Sequence, residues 1–349
     1  MNTPWSYPDF DAHEALHFVT DEESGLRAII AMHSTHLGPS AGGTRFWHYA
    51  DDSEALTDAL RLSRGMSYKN AMAGLPLGGG KAVVLANRAC AKTPEMLAAF
   101  GAAVNSLGGK YVTAEDVGMS VADMIEISKQ TKYVAGLPVS GGEVGGDPGP
   151  HTSLGVFLGI KAAVKRALGK ESLSGLHVAL QGAGSVAGGV ARQAAAEGAK
   201  LSIADVDRAR AEKLAAETGG AVVTPDDILY LEADVVSPCA LGAILTEHSI
   251  GKLNTPIVAG GANNQLATAE DGRRLQARGI LYAPDYVINA GGIINVSTEY
   301  LGDGGPDLVR SRIKAIPGRL EQIWAESAST ERDPASVADA MAQKLIGRA

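Results

Sequence analysis

The segment His177-Val178-Ala179-Leu180-Gln181-Gly182-Ala183-Gly184-Ser185-Val186-Ala187 decides the fold predicted for the second half of this 349-residue chain. Its first five residues indicate a buried strand, and a helical pattern continues from the glycines to Glu197. The first glycine permits a tight turn, the second lets the backbone approach a ligand, and the small alanine allows close helix–strand packing. We therefore predict the first strand, turn and helix of a dinucleotide-binding Rossmann domain.

The same segment indicates the cofactor. The turn residues predicted to contact it are Gly182, Gly184, Ser185, Val186 and Ala187. The next strand, residues 200–204, ends at Asp205, about 20 residues further on, where a carboxylate accepts hydrogen bonds from a ribose 2′-hydroxyl and repels a 2′-phosphate. This placement predicts NAD rather than NADP; a structural turn that binds nothing is the alternative.

Composition excludes several classes of protein. A length of 349 residues indicates two domains, because single cores stop growing near 250–300 residues. The net charge of −8 argues against nucleic-acid binding. Two cysteines, Cys90 and Cys239, do not form a disulfide framework and fit a reducing cytoplasm. We see neither a signal peptide nor an apolar run of about 18 residues, so we expect a cytoplasmic protein without a membrane partner.

Strand and helix patterns alternate along the chain, which predicts an α/β fold of two domains separated by a cleft. The Gly/Pro-rich segment 136–150 marks the boundary. We predict a first domain over 1–136, a Rossmann domain over 137–330, and a C-terminal helix in 331–349 that packs back on the first domain. A single amphipathic helix is expected over about 308–327.

Three charged residues in the first domain suggest chemistry. Lys69 and Lys81 lie beside apolar or glycine-rich sequence, and Asp116 follows a short strand. Burial removes hydration from an ammonium group, so its pKa falls toward neutrality and it can exchange protons at physiological pH. The alternatives are a helix-end lysine, an exposed strand-entry lysine and a turn or N-cap aspartate. A phosphate-binding P-loop is excluded, because the residue after Lys81 is alanine rather than serine or threonine.

Several segments, in this order along the chain, resemble the glutamate/leucine/phenylalanine/valine dehydrogenase family. They are Gly42-Gly43-Thr44-Arg45, Lys69, Pro76-Leu77-Gly78-Gly79-Gly80-Lys81, Thr113-Ala114-Glu115-Asp116-Val117-Gly118, Ser237-Pro238-Cys239-Ala240-Leu241-Gly242, Gly261-Ala262-Asn263-Asn264-Gln265-Leu266 and Asn289-Ala290-Gly291-Gly292. The resemblance implies a homo-oligomeric enzyme with the substrate and oligomer contacts in its first domain. It also implies reversible, NAD-dependent deamination of an L-amino acid to a 2-oxo acid and ammonium.

The resemblance also implies roles for residues. Lys69 would bind the substrate carboxylate, Lys81 would activate water, and Asp116 would carry protons to and from the amino nitrogen. The further substrate contacts that it implies are Gly43, Met66 and Asn264, and the further cofactor contacts are Thr152, Cys239, Ala240 and Asn263. We expect no metal site, since the pair His33 and His36 has no nearby carboxylate or cysteine to complete one.

The family pattern places Ala41, Ala114, Ile293 and Val296 around the substrate side chain. Glutamate-specific members have a lysine where this chain has Ala41, so a carboxylate side chain would lack its partner. We therefore expect an apolar substrate and favour a branched, leucine-like one, with phenylalanine as the alternative. The rival functions are a different Rossmann dehydrogenase, such as a hydroxy-acid enzyme, and a non-catalytic NAD-binding regulatory protein.

Overall fold

The computed structural model describes residues 3–86, 92–137, 144 and 147–348, which divide into two compact units. The first unit comprises Met1–Gly146, Val296–Pro306 and Ala342–Ala349, and the second comprises Asp147–Asn295 and Asp307–Met341. Residues 296–306 thus group with the first unit, although they lie inside the range 137–330 predicted for the Rossmann domain. Most of the predicted boundary segment 136–150, like Cys90, lies outside the described residues.

The first unit contains a six-stranded sheet in the order β1-β2-β5-β3-β6, with β4 also paired to β5. Strands β1 and β2 are antiparallel to their neighbours, whereas β3 and β4 run parallel to β5. The elements are β1 (Ala15–Asp21), β2 (Leu26–Ser34), β3 (Ser40–Ala41), β4 (Thr44–Trp47), β5 (Gly78–Leu85), β6 (Tyr111–Val112), α1 (Asp52–Met72), α2 (Pro94–Ser106) and α3 (Val121–Ser128).

Alternating side chains of β2 and β5 supply two cores. One face packs Ile29, Ala31 and Val83 against α1. The other face packs with residues of α2 and α3. Such alternation follows from the two-residue period of a strand, and it leaves this sheet covered by helices on both faces.

Helix α1 lies unusually close to β5. A Cβ atom on Gly79 would stand 2.0 Å from the backbone nitrogen of Ser67, and the Asn70 amide donates to the Gly78 carbonyl at 2.6 Å. Only glycine permits this approach. Strand β5 begins at Gly78, so the three glycines before Lys81 belong to the strand itself.

Residues close to the C-terminus bond to the first unit. The Arg348 guanidinium donates to the carbonyl oxygens of Ala12 and His33 at 2.9 and 2.5 Å. The His33 ring bonds Asp11 through Nε2 and the Ser67 hydroxyl through Nδ1. Burial holds the pKa of His33 down at about 3, so this ring is neutral and structural at physiological pH.

The second unit contains a six-stranded sheet in the order β12-β11-β10-β7-β8-β9. Each neighbouring pair runs parallel in the described part of this sheet, and the order is that of a doubly wound Rossmann fold. Its strands are β7 (His177–Gln181), β8 (Lys200–Ala204), β9 (Ala221–Val222), β10 (Val235–Pro238), β11 (Ile257–Val258) and β12 (Leu281–Tyr282). The predicted α/β fold with a Rossmann domain is confirmed.

Ten α-helices follow α3 in the described chain, and two of them differ from the sequence prediction. They are α4 (Gly149–Leu168), α5 (Ser185–Ala196), α6 (Arg208–Thr218), α7 (Glu247–Lys252), α8 (Glu270–Ala277), α9 (Asp285–Ile288), α10 (Gly291–Leu301), α11 (Pro306–Lys314), α12 (Ile316–Thr330) and α13 (Pro334–Leu345). The single helix predicted over 308–327 is two helices, α11 and α12. Pro317 lies at the start of α12, where its missing N–H is tolerated, and it cannot continue a preceding helix. None of the helices among the described residues is long and apolar enough to cross a membrane.

The close contact between α1 and β5 can be tested with two alanine substitutions. Gly79→Ala should destabilise the protein by about 1–3 kcal/mol, because its Cβ meets backbone that cannot yield without moving the helix. Gly65→Ala, on α1 with open space around it, should instead stabilise the helix by about 0.5–1 kcal/mol. Urea unfolding measures both changes, and equal effects at the two positions would contradict the proposed packing constraint.

Candidate active site

Lys81 lies on β5, opposite Ala31 of β2, on the sheet face that packs against α1. Its side chain is only 6% exposed, and its ammonium group is 2.6 Å from Oδ2 of Asp116. The structure thus joins two of the residues predicted from the sequence, which stand 35 residues apart along the chain.

Backbone pairing holds Asp116 in place. The segment after β6 runs beside β4, where the amides of Thr44 and Phe46 donate to the carbonyls of Ala114 and Val117 at 2.8 and 3.0 Å. A Cβ atom on Gly43 would lie 2.6 Å from the Glu115 carbonyl oxygen. Gly43 therefore allows the aspartate-bearing segment to approach this end of the sheet.

Three further residues extend this ion pair, and none of them was assigned a role from the sequence. Arg45 donates through Nε to Asp116 Oδ2 at 3.0 Å and through Nη1 to Asp58 Oδ2 at 2.9 Å. The Tyr49 hydroxyl donates to the same Asp58 oxygen at 2.7 Å. Arg45 belongs to the quoted motif Gly42-Gly43-Thr44-Arg45, so the sequence offered a reason to consider it. Asp58 has no such motif, and the sequence shows it only as a polar residue on a helix.

Burial and charge act on the pair in opposite ways. Burial lowers the pKa of Lys81, and although the charge of Asp116 opposes this, the pKa stays below its usual value. Burial tends to raise the pKa of Asp116, but the attraction of Lys81 and Arg45 outweighs it, and the pKa of Asp116 falls below its usual value. A buried lysine that releases its proton readily beside an ionised carboxylate suits acid–base chemistry.

The other predicted substrate residues of the first unit occupy neighbouring elements. Met66 and Lys69 lie half-buried on α1, toward its C-terminal end, and Ala41 is buried on β3. Ala114 precedes Asp116 in the same paired segment. Val296 groups with this unit, and its Cγ1 atom would lie 3.8 Å from a Cβ atom on Gly136.

The glycine turn of the second unit follows β7, as predicted. Gly182 has a φ of 106°, which favours glycine, and its Cβ would lie 3.2 Å from the Cβ of Ala240. Helix α5 begins after Gly184 without a side-chain cap, and a Cβ on Gly184 would meet no atom within 4 Å. The amides of Ser185, Val186 and Ala187 therefore begin a helix beside open space, an arrangement that fits a pyrophosphate.

Asp205 lies at the end of β8, beside this turn. Its Oδ2 atom accepts a hydrogen bond from the Ala183 amide at 2.7 Å, and Oδ1 accepts one from the Asp207 amide at 2.8 Å. A carboxylate has about four acceptor sites, so these two bonds leave capacity for a further donor. The residue thus both holds the glycine turn and can accept a ribose hydroxyl.

The loops after β10 and β11 hold predicted cofactor residues. Cys239 accepts from the Gly261 amide at 3.4 Å, and burial raises the pKa of its thiol, which argues against a nucleophilic role. Asn289 donates to the side-chain oxygen of Asn263 at 2.8 Å. Gln265 also donates to loop carbonyls, at 2.8 and 3.0 Å. Neither Asn289 nor Gln265 received a role from the sequence, although both stand in quoted motifs.

The remaining predicted residues of this unit are placed as follows. Asn264 is exposed, with a φ of 52°. Thr152 lies on α4, and its hydroxyl donates to the Pro148 carbonyl at 2.9 Å. A Cβ on Gly292 would lie 2.6 Å from that hydroxyl, so the start of α10 approaches Thr152 closely. Ile293 lies half-buried in the first turn of α10.

Comparison with known proteins agrees with this arrangement. A family model described as Glu/Leu/Phe/Val dehydrogenase, dimerisation domain, matches residues 13–133, and one described as Glutamate/Leucine/Phenylalanine/Valine dehydrogenase matches residues 201–341. The leucine dehydrogenase of Bacillus subtilis (strain 168) is 44% identical over 96% of this chain and 92% of its own length. The phenylalanine dehydrogenase of Bacillus thermotolerans is 44% identical over 83% of this chain and 77% of its own length.

A solved structure is similar over nearly the whole chain. The L-tryptophan dehydrogenase from Nostoc punctiforme superposes with a TM-score of 0.86 at 41% identity, covering 96% of both chains. These relatives are named for three different amino acids. Their similarity therefore identifies the architecture of this chain but not the side chain of its substrate.

Proposed function

Because this chain belongs to the Glu/Leu/Phe/Val dehydrogenase family, we propose that it catalyses reversible, NAD-dependent oxidative deamination of an apolar L-amino acid. The products are the 2-oxo acid and ammonium. The observation that carries the proposal is the buried ion pair between Lys81 and Asp116, whose atoms are 2.6 Å apart. The enzyme class predicted from the sequence is confirmed by relatives that match nearly the full chain.

A leucine-like substrate is the favoured choice. Leucine dehydrogenases are 44–45% identical over 96–98% of this chain. Ala41 and Ala114 present no charge to a substrate side chain, so a carboxylate there would be buried without a partner at a cost of several kcal/mol. The relatives named for phenylalanine and tryptophan make an aromatic substrate the alternative, since small alanines leave room for a ring.

Substrate binding in the proposed mechanism depends on Lys69. Its ammonium group would bind the α-carboxylate as a point charge, which orients the α-carbon and the amino group. Gly43, Met66 and Asn264 would complete the contacts with the substrate. We propose that Ile293 and Val296 join the two alanines around the side chain.

Proton transfer belongs to Asp116 and Lys81. When bound, NAD would supply the acceptor for the hydride that leaves the substrate α-carbon. Asp116 would take a proton from the substrate ammonium group, so that the neutral amine can carry the positive charge that develops on the nitrogen as the hydride leaves. Neutral Lys81 then removes a proton from the water that attacks the imine carbon, and Asp116 returns a proton to the departing nitrogen.

The second unit suits NAD. The pyrophosphate would lie at the N-terminus of α5, held by amides of the turn from Gly182 to Ala187. Asp205 would accept the ribose hydroxyls, and its negative charge would repel a 2′-phosphate. Thr152, Asn263, Cys239 and Ala240 are proposed to contact the rest of the cofactor.

We propose that the enzyme is a homo-oligomer acting on small molecules. The first unit contains the match to the family's dimerisation domain, residues 13–133. The proposal has a simple check, because analytical ultracentrifugation would distinguish an oligomer from a monomer.

The catalytic pair is tested by Lys81→Met and Asp116→Asn. Each variant should lose about 10²–10⁴-fold in turnover, since each removes a proton-transfer group while keeping side-chain size. NADH absorbance measures turnover, and calorimetric titration with NAD should show nearly unchanged binding. Turnover close to wild type in either variant would contradict the assigned roles.

The cofactor preference is tested by Asp205→Asn. Removal of this charge should improve the Michaelis constant for NADP relative to NAD, because a 2′-phosphate no longer meets a carboxylate. Asp207→Asn is the matched control: Asp207 carries the same charge two residues away and caps α6. If the control relaxes cofactor choice as much as the Asp205 variant does, the role given to Asp205 is wrong.

The substrate preference is tested by steady-state kinetics on leucine, valine, isoleucine, phenylalanine, tryptophan and glutamate. We expect the highest kcat/KM with a branched apolar substrate and negligible turnover of glutamate, whose side chain would meet Ala41 where glutamate-specific members have a lysine. One methylene group changes selectivity by only about 1–3 kcal/mol, so the apolar substrates should overlap. Preferred turnover of glutamate would refute the apolar pocket.

A further inference from the structure

Arg45 connects two carboxylates that come from different elements. Its backbone on β4 pairs with Val83 of β5, so its side chain lies on the same sheet face as Lys81. From there Nε reaches Asp116 and Nη1 reaches Asp58 of α1. The side chains of Arg45, Asp58 and Asp116 are 24%, 25% and 24% exposed, so water screens these bonds only in part.

We propose that Arg45 is a positioning residue of the reaction, held by Asp58, that fixes the Asp116 carboxylate and favours release of the Lys81 proton. This inference rests on the proposed deamination, which assigned no role to Arg45 or Asp58. It adds Arg45 and Asp58 to the reacting pair, so that four charged side chains form a continuous chain, Asp58–Arg45–Asp116–Lys81.

The bonding pattern orients the carboxylate. Lys81 and Arg45 both donate to Oδ2 of Asp116, at 2.6 and 3.0 Å, and neither of these donors uses Oδ1. Two donors that converge on one oxygen fix the rotation of the carboxyl group. The second oxygen is thereby left to meet the amino group of the substrate.

Arginine suits this position because its donors lie in one rigid plane. Nε and Nη1 point at two acceptors at once, which the single ammonium of a lysine cannot reproduce. Asp58 is itself fixed by the Tyr49 hydroxyl at 2.7 Å. Restraint therefore passes from Tyr49 through Asp58 and Arg45 to Asp116.

Charge acts together with this geometry. Asp58 and Asp116 balance Arg45 and protonated Lys81, and the positive charge of Arg45 favours loss of the Lys81 proton. The charged groups that act on Lys81 are Asp116, which follows β6, Arg45 from β4 and Asp58 from α1. Tyr49, after β4, and Tyr111, on β6, lie within the influence of the Asp116 charge. Burial lowers the pKa of Lys81, Asp116 and Asp58 act to raise it, and Arg45 acts to lower it further.

These opposing effects separate a positioning role from a merely structural one. Loss of the Arg45 charge alone raises the pKa of Lys81, so the rise of activity with pH moves to higher pH. If Arg45 only supported the fold, its loss would displace Asp116, remove a negative charge from Lys81 and move that rise to lower pH. The direction of the shift therefore decides between the two roles.

The experiment measures kcat, KM and the pH dependence of kcat/KM for oxidative deamination in the wild type and in Arg45→Gln, Arg45→Lys and Asp58→Asn. Ionisation of the free substrate contributes equally to all of them, so differences belong to the enzyme. We expect Arg45→Gln to lose about 10–100-fold in kcat, because Asp116 is no longer oriented. The rise of kcat/KM with pH should move to higher pH in Arg45→Gln and to lower pH in Asp58→Asn.

Arg45→Lys keeps the charge but loses the planar fork. It should retain the wild-type pH dependence more closely than Arg45→Gln while losing kcat by a comparable factor. Arg27→Gln is the matched control, since it removes one arginine charge from an exposed ion pair with Asp52 in the same unit. It should leave kcat and the pH profile unchanged.

The outcomes separate the two proposals. A wild-type enzyme that forms no NADH from any neutral amino acid refutes the proposed function itself. An active wild type with an unchanged or acid-shifted profile in Arg45→Gln overturns only the inference on Arg45. Arg45→Gln could fail to fold, which circular dichroism would show. In that case the inference is tested by the shift of the pH profile to lower pH in Asp58→Asn and by the loss of kcat in Arg45→Lys. Wild-type kinetics in both of these variants would refute the inference on Arg45.

Discussion

The close approach of α1 to the glycines of β5 is the constraint on which the first unit depends. Gly79 leaves no room for a side chain beside Ser67, and the Asn70 amide ties the helix to the Gly78 carbonyl. The chain then carries Lys81 on the same strand and Lys69 on the same helix. Both lysines are thereby placed by backbone contact, which is more exact than placement by flexible side chains.

Within that frame, burial lowers the pKa of Lys81, as the proposed proton transfer requires. Removing two charges from water costs several kcal/mol per ion, and a buried pair seldom repays that cost in stability. The pairing of Lys81 with Asp116 is therefore better explained by the proposed proton transfer than by stability. Arg45 completes the arrangement, because a second cation on Asp116 keeps that carboxylate ionised while working against the charge of Lys81.

Much of the fold could be predicted from the sequence where patterns are local. The turn at Gly182 and the strand before it are read from neighbouring residues, and the structure has both. Strand β3 has two residues, too few for any period, and it exists because β5 and β6 supply hydrogen-bond partners on its two sides. Pro317 is a local signal for the break before α12. The amphipathic pattern continues on both sides of this proline, and it therefore predicted one helix instead of two.

The sequence by itself determined the residues proposed for the chemistry: the two lysines, Asp116, the glycine turn and Asp205 all stand in recognisable motifs. Only the tertiary structure decided how Asp116 is held. Arg45 and Asp116 are 71 residues apart along the chain. Asp58 lies on a helix, and the sequence of that helix does not indicate that Asp58 pairs with Arg45. Periodicity reports which side of an element is buried, whereas a hydrogen bond between distant elements depends on how the sheet and the helix pack.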